Sequence, residues 1–327
     1  MNEYQILTDS ICDLPIDWLI AHPMVTVVDT PITITMPGTE ALCFSGLMSP
    51  DDFTIVDKYV KDGYTAKTSL PRIYGKDDTS IESLTKNYLA EGKDVVYLAM
   101  NSAISGTFQH VHTLYLDMTK KGECPKGQKI VAIDTKCAST GLAFLLRNLF
   151  DERINRISND STLTATRIVN FVNENAPKVA HVFTWFDFDY IVKSGKVKAL
   201  PAFLGKVLGC HPLCSAEYLN NSRPLLTISG TIRGVSRFTA KFADFVAATI
   251  ADPTGTITVA HGNYPEGAEL IASAITKRLP EATVLCNSEW RCGAAIQAHG
   301  GPTSIHVNYF RIPCDYAESV NIFNSLS

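Results

Sequence analysis

Hydroxyl side chains cluster in Asn101-Ser102-Ala103-Ile104-Ser105-Gly106-Thr107. Three hydroxyls within six residues, Ser102, Ser105 and Thr107, can donate hydrogen bonds to one oxyanion, and Gly106 lets a ligand or another backbone come close. The segment follows an apolar run and precedes a helical pattern. A strand end that feeds a helix N-terminus suits a carboxylate or phosphate. A Ser/Thr helix cap uses the same residues, and the segment by itself fits both readings.

Similar groups recur at Thr65-Ala66-Lys67-Thr68-Ser69-Leu70-Pro71, at Thr8-Asp9-Ser10 and at Asp134 to Gly141 (DTKCASTG). One such group is an ordinary polar loop. Several in one half of a chain suggest a shared polar rim. Later, His261 (VAHGN) and His299 (AHGGP) each precede a glycine, and Arg233 lies in Thr231-Ile232-Arg233-Gly234. The arginine offers a planar fork to an anion. Satisfied core histidines and a solvated surface arginine fit these positions equally well.

Known catalytic arrangements are missing. Ile104, not glycine, precedes Ser105-Gly106, so neither Ser102 nor Ser105 sits in a G-x-S-x-G elbow. No G-x-x-x-x-G-K-[ST] loop occurs, and no G-x-G-x-x-G follows the first strand candidate. A serine hydrolase acting on a small anionic substrate is the alternative reading. It would pair Ser102 or Ser105 with His261 or His299 and needs a third group to orient the imidazole; the sequence identifies none.

These residues require strands to carry them. Tyr4–Leu7, Val25–Asp29, Ile32–Thr35, Asp94–Met100 and Lys129–Asp134 read as strands. DVVYLAM is apolar enough to be buried on both faces. Asp78–Glu91, ended by Gly92, the segment with Phe108, Val111, Leu114, Tyr115 and Met118, and Thr140–Phe150 read as helices. Strands alternating with helices imply parallel βαβ units. The polar stretch Asp151–Thr162 marks a boundary. Beyond it, Leu163–Glu174, Glu266–Arg278 and Glu289–Ala298 read as helices. Val179–Trp185, Pro212–Tyr218, Pro224–Ile228, Thr256–Ala260, Thr283–Cys286 and Ser304–Phe310 read as strands, and Asn220-Asn221 supplies a hairpin turn. The expected fold is therefore α/β in two domains, 1–158 with a parallel sheet and 159–327 with a mixed sheet.

Composition agrees with that. The chain has 327 residues, 46% hydrophobic, enough for sizeable cores. A net charge of -4 without any long Lys/Arg run excludes a nucleic-acid footprint. No apolar run reaches the ~18 residues of a membrane span, which leaves at most transient membrane contact. The first residues lack a basic, then apolar, secretory pattern. The nine cysteines show no C-x-x-C pair and no His spacing for zinc. Reduced thiols, a cytoplasmic location and no metal are expected.

Taken in order, the motifs resemble the DegV family of bacterial fatty-acid-binding proteins. Thr8-Asp9-Ser10 with Asp13-Leu14-Pro15 is similar to the family's TDS…DLP, and Thr68-Ser69-Leu70-Pro71 to its TSxP. Glu91 to Val95 resembles EGxDV, Asn101 to Gln109 (NSAISGTFQ) resembles SSxxSGTYQ, and Asp134-Thr135 with Ser139 and Gly141 resembles DSxxxSxG. Asp189 to Val197, Thr231 to Gly234 and Ala298 to Pro302 resemble three later segments. Asn101 replaces the first serine of the SS pair, and His211 stands where the family has lysine.

The resemblance implies a two-domain α/β protein with a long-chain fatty acid between its domains. The carboxylate would sit on Thr68 or Ser69, with Ser102, Ser105, Thr107 and His299, bordered by Arg233 and His261. An apolar tunnel, formed mostly by the C-terminal domain, would take the chain; Phe183, Trp185, Phe186, Phe188, Phe203 and Leu204 are its candidates. The resemblance further implies a carrier without catalysis or cofactor, one that presents its acid to a fatty acid kinase for acyl-phosphate formation.

Overall fold

A computed structural model of the chain describes residues 2–49, 64–151, 163–187, 209–215, 227–314 and 316–326. The chain divides into two compact units that interleave in sequence. The first comprises Met1–Pro31, Ser45–Leu47 and Thr68–Pro177; the second comprises Ile32–Phe44, Met48–Lys67 and Lys178–Ser327. The division expected from sequence, 1–158 and 159–327, was a single linear cut.

In the first unit, strands β1 (Tyr4–Asp9), β2 (Val25–Val28), β6 (Asp94–Ala99) and β7 (Ile130–Asp134) form a parallel sheet in the order β2-β1-β6-β7. The apolar run DVVYLA is buried along its whole length as β6, as a strand covered on both faces must be. Helices α2 (Ile81–Ala90) and α3 (Thr107–Lys120) supply one cover: Ile81, Leu89, Val111, Leu114, Tyr115 and Met118 pack on Leu7, Val95, Tyr97 and Ala99. Ser80 caps α2 by accepting the Ser83 N–H. Helix α5 (Ala165–Asn175) packs on β6 and against α4 (Ser139–Leu149). Almost every residue of α4 is buried, consistent with a sequence apolar around most of its circumference. A short helix, α1 (Ile16–Ala21), buries none of its side chains.

The second unit holds a mixed sheet in the order β10-β9-β8-β13-β11-β12. Its strands are β8 (Val179–Trp185), β9 (Cys210–Ser215), β10 (Thr227–Arg233), β11 (Thr256–His261), β12 (Thr283–Leu285) and β13 (Ser304–Phe310). Strands β9 and β10 pair antiparallel; the expected turn between them, at 219–223, lies outside the described residues. Helices α6 (Val235–Thr249), α7 (Pro265–Arg278) and α9 (Tyr316–Ser325) contribute Phe238, Phe242, Phe245, Ile271, Ile275 and Phe323 to a core against Ala180, Val182, Val259, Ile305 and Val307. A bulge in β10 carries Gly230, where a Cβ would stand 2.0 Å from the Phe323 ring. The opposite face follows from strand alternation and register: His181, Phe183 and Trp185 face the same way as Ser304, His306 and Asn308. All six are buried.

A third, smaller sheet has the order β4-β3-β5, from β3 (Ile32–Thr35), β4 (Leu42–Phe44) and β5 (Thr65–Thr68). The Thr65–Pro71 segment, read from sequence as a loop, is thus half strand. The helix expected over Glu289–Ala298 forms instead as α8 (Ala294–Gly300). The backbone before it is taken by β11: Cys292 N donates to the His261 carbonyl at 2.8 Å, and Arg291 bridges to His261. Among the described residues no helix is long and apolar enough to cross a membrane, and none of the nine cysteines is in a disulfide.

Candidate functional site

The parallel sheet changes direction of winding between β1 and β6, which places a crevice outside the carboxyl ends of these strands. Three of the hydroxyl-rich segments sit at this edge: Thr8-Asp9-Ser10 at the end of β1, Asn101–Thr107 after β6, and Asp134–Gly141 at the end of β7. The fourth, Thr68–Pro71, follows β5. It joins the same rim, for Leu70 Cδ2 lies 3.9 Å from where a Cβ on Gly106 would stand.

Hydrogen bonding divides these side chains by role. Thr8 donates to the Leu98 carbonyl at 2.8 Å, Thr135 to the Ala99 carbonyl at 2.8 Å, and the Ser10 hydroxyl accepts the Thr30 N–H at 3.0 Å. These hydroxyls tie loops to strands. Ser105 accepts the Thr107 N–H at 3.2 Å and lies 2.8 Å from the Thr107 hydroxyl. Ser105 therefore does the capping work at α3, where Gly106 has no side chain to offer. Ser102 is exposed. Its hydroxyl donates to Asp134 Oδ2 at 2.5 Å, and its N–H to Asp134 Oδ1 at 3.1 Å. Thr68 ends β5, and Ser69 is fixed through its N–H to the Pro31 carbonyl at 2.9 Å.

Asn101 is buried and joins two loops. Its Oδ1 accepts the Ala103 N–H at 2.8 Å, and its Nδ2 donates to the Lys136 carbonyl at 3.1 Å. The edge also concentrates backbone strain. Among the described residues the non-glycine positions in the left-handed region are Asp13 (φ 49°), Lys136 (φ 58°) and Ser139 (φ 53°), and such strain clusters where surroundings impose it. Ser139 donates to Asp13 at 2.5 Å, so two of the three hold each other.

Asp9 ends β1 at the same edge. It is buried, and burial pushes its carboxyl up to about 6, against N–H bonds from Met100 and Ile11. Its Oδ1 has no partner among the described residues.

The remaining predicted residues belong to the second unit. The two His-Gly segments meet there: Gly262 N donates to the Ser304 carbonyl at 3.0 Å and Asn263 N to the Pro302 carbonyl at 2.6 Å. A Cβ on Gly262 would stand 2.7 Å from the Pro302 oxygen, so only glycine permits the approach. His261 Nδ1 accepts the Tyr264 N–H at 3.1 Å, and His299 lies in the last turn of α8. Arg233 is exposed at the end of β10. His211 is buried, and burial lowers its pKa. Of the tunnel candidates, Phe183 and Trp185 are buried and Phe186 packs against the core; Phe188, Phe203 and Leu204 lie outside the described residues. Sequence reasoning also missed a buried pair on the same sheet face, His181 Nε2 and His306 Nδ1 at 2.7 Å.

Comparison with known proteins yields one consistent pattern. The family model described as "Uncharacterised protein, DegV family" matches residues 3–311. The DegV domain-containing protein YteA of Lactococcus lactis is 24% identical over 238 residues, 73% of this chain and 76% of that protein. Among solved structures, a stearic acid-binding protein from Eubacterium ventriosum superposes with a TM-score of 0.69 at 18% identity, covering 96% of this chain and 99% of that one. The Fatty Acid Kinase (Fak) B3 protein of Streptococcus pneumoniae, loaded with linoleic acid, gives 0.66 at 16% identity, covering 94% and 99%. At these identities the likeness to solved structures is a likeness of fold.

Proposed function

Because the chain belongs to the DegV family, we propose that it is a cytoplasmic carrier that binds a long-chain fatty acid and presents its carboxylate to a fatty acid kinase. The observation that carries this reading is the meeting of the Thr68–Pro71 and Ser102–Thr107 loops on one rim. A carboxylate leaving water must keep hydrogen bonds, and a rim of hydroxyls and helix N–H groups supplies them. Thr68 or Ser69, with Ser102, Ser105 and Thr107, are assigned to the head group. His299, Arg233 and His261 are assigned to its border. Apolar side chains of the second unit, Phe183 and Trp185 among them, are assigned to the chain. Each buried methylene contributes about 0.8 kcal/mol, so the chain supplies most of the affinity and the rim the orientation.

The similar structures support the ligand class, since proteins of this fold hold stearic acid and linoleic acid. The carrier role draws on the Fak B3 likeness and on the partner of Ser102. That hydroxyl donates to the Asp134 carboxylate, whereas the serine of a hydrolase gives its proton to a catalytic base. A fluorophosphonate probe is expected to leave the protein unlabelled, and labelling at Ser102 or Ser105 would support the hydrolase reading instead. Replacing Ser102 and Thr68 together by Ala is expected to weaken acyl binding by about tenfold or more, at about 1 kcal/mol per hydrogen bond. Unchanged affinity would place the head group on other residues.

A further inference from the structure

Strand alternation gives the sheet of the second unit two unlike faces. Towards α6, α7 and α9 it presents Ala180, Val182, Val259, Ile305 and Val307, an apolar set. The other face carries Phe183 and Trp185, assigned above to the acyl chain, and beside them polar side chains that an acyl chain does not require. His181, Asn308 and Thr258 lie side by side across β8, β13 and β11, all buried. Phe183 pairs in register with His306, and the two rings stack with centroids 5.4 Å apart.

His181 and His306 act as one group. Nε2 of His181 and Nδ1 of His306 are 2.7 Å apart, and Phe183 packs on both rings. Burial keeps both imidazoles neutral. A neutral imidazole has one N–H and one lone pair, so one ring donates across that contact and the other accepts. If His181 donates, its Nδ1 is a lone pair. If His306 donates, Nδ1 of His181 carries the proton. In both tautomers this Nδ1 is a buried polar atom with no hydrogen-bond partner among the described residues. Such an atom costs free energy while it stays unmet, a cost that an apolar pair would avoid. A methylene meets neither tautomer. A hydroxyl both donates and accepts, so it meets Nδ1 in either.

We propose that the His181–His306 pair is a hydrogen-bonding station on the wall of the acyl site, and that the acid this protein binds best carries a hydroxyl part-way along its chain. This rests on the fatty-acid reading above and adds the chemical class of the chain. The hydroxyl meets Nδ1 of His181, while Phe183 and Trp185 pack on the methylenes beside it.

The test uses delipidated full-length protein with stearic acid and a series of its hydroxy derivatives, each with the hydroxyl at one chain position. Titration calorimetry gives the affinities. One position is expected to bind about tenfold more tightly than stearic acid, with the positions on either side falling back towards it. In a His181→Phe, His306→Leu double variant that ratio is expected to fall to about one. Nitrogen NMR of histidine-labelled wild type gives a readout that needs no variant: the preferred derivative should move the His181 Nδ1 resonance away from its position in the stearic acid complex. Hydroxy derivatives no tighter than stearic acid at any position, a preference that survives in the double variant, or an Nδ1 resonance identical in the two complexes would overturn the proposal while leaving a fatty acid binder. Failure of wild type to bind any of these acids would overturn the fatty-acid reading itself.

Discussion

Asn101 and Asp134 show what a one-dimensional motif leaves out at the scale of the residue. From sequence, Asn101 was the departure in a serine-rich motif. In the fold it accepts from Ala103 and donates to the Lys136 carbonyl, a span that a serine hydroxyl does not cover. Asp134 was visible as part of a strand-end pattern, but its contact with Ser102 joins residues 32 apart. No local signal announces such a pairing. Asp9 poses the same problem, because its complete burial cannot be read from the Thr8-Asp9-Ser10 motif. Its folded pKa of about 6 lies above the ordinary 3.8, so the fold favours its protonated form. Stability from this group is full below about pH 4 and lost as pH rises through 6. Asp9→Asn is therefore expected to stabilise the protein above pH 6 by up to roughly 3 kcal/mol, with the difference vanishing near pH 4. Denaturant midpoints at pH 4 and pH 7.5 check this; an equal effect at both would contradict it.

Elements were legible where burial repeats at a regular period. The β6 run and the helices α2, α3 and α7 declared themselves through apolar spacing, and their order implied the parallel sheet that forms. Strands β4 and β5 did not, because three or four residues with exposed positions show no period. Helix α6 was assigned no element, although Phe238, Phe242, Phe245 and Val246 repeat at helical spacing and are buried. The start of α8 was misplaced because β11 takes the preceding backbone, a tertiary demand that outweighs local propensity. The β8–β13 pair carries a prediction of its own. Burial lowers the pKa of His181 to about 4 and holds His306 well below 6.5. Both histidines are thus kept neutral, their contribution is full above about pH 6.5, and it is lost as pH falls towards 4. For His181 alone this is on the order of 3 kcal/mol. Wild type should lose denaturant resistance between pH 6.5 and 4.5. A His181→Phe, His306→Leu double variant should lose markedly less, and a parallel pH profile would show that the pair is not the cause.

The family match spans residues 3–311 and so runs through both compact units. The α/β class and the two kinds of sheet were readable from the alternation of elements. The interleaving was not, because β3 and β4 leave the first unit's run of sequence to join the second, and nothing in their composition marks that change. The central claim concerns the protein as isolated from a bacterial host: it carries one long-chain fatty acid. The most direct measurement is to purify the chain, denature it and analyse the organic extract by mass spectrometry against protein concentration. About one fatty acid per chain is expected, and a delipidated sample should take up one equivalent of added acid. An extract without stoichiometric fatty acid, from a protein that also takes up none, would contradict the account.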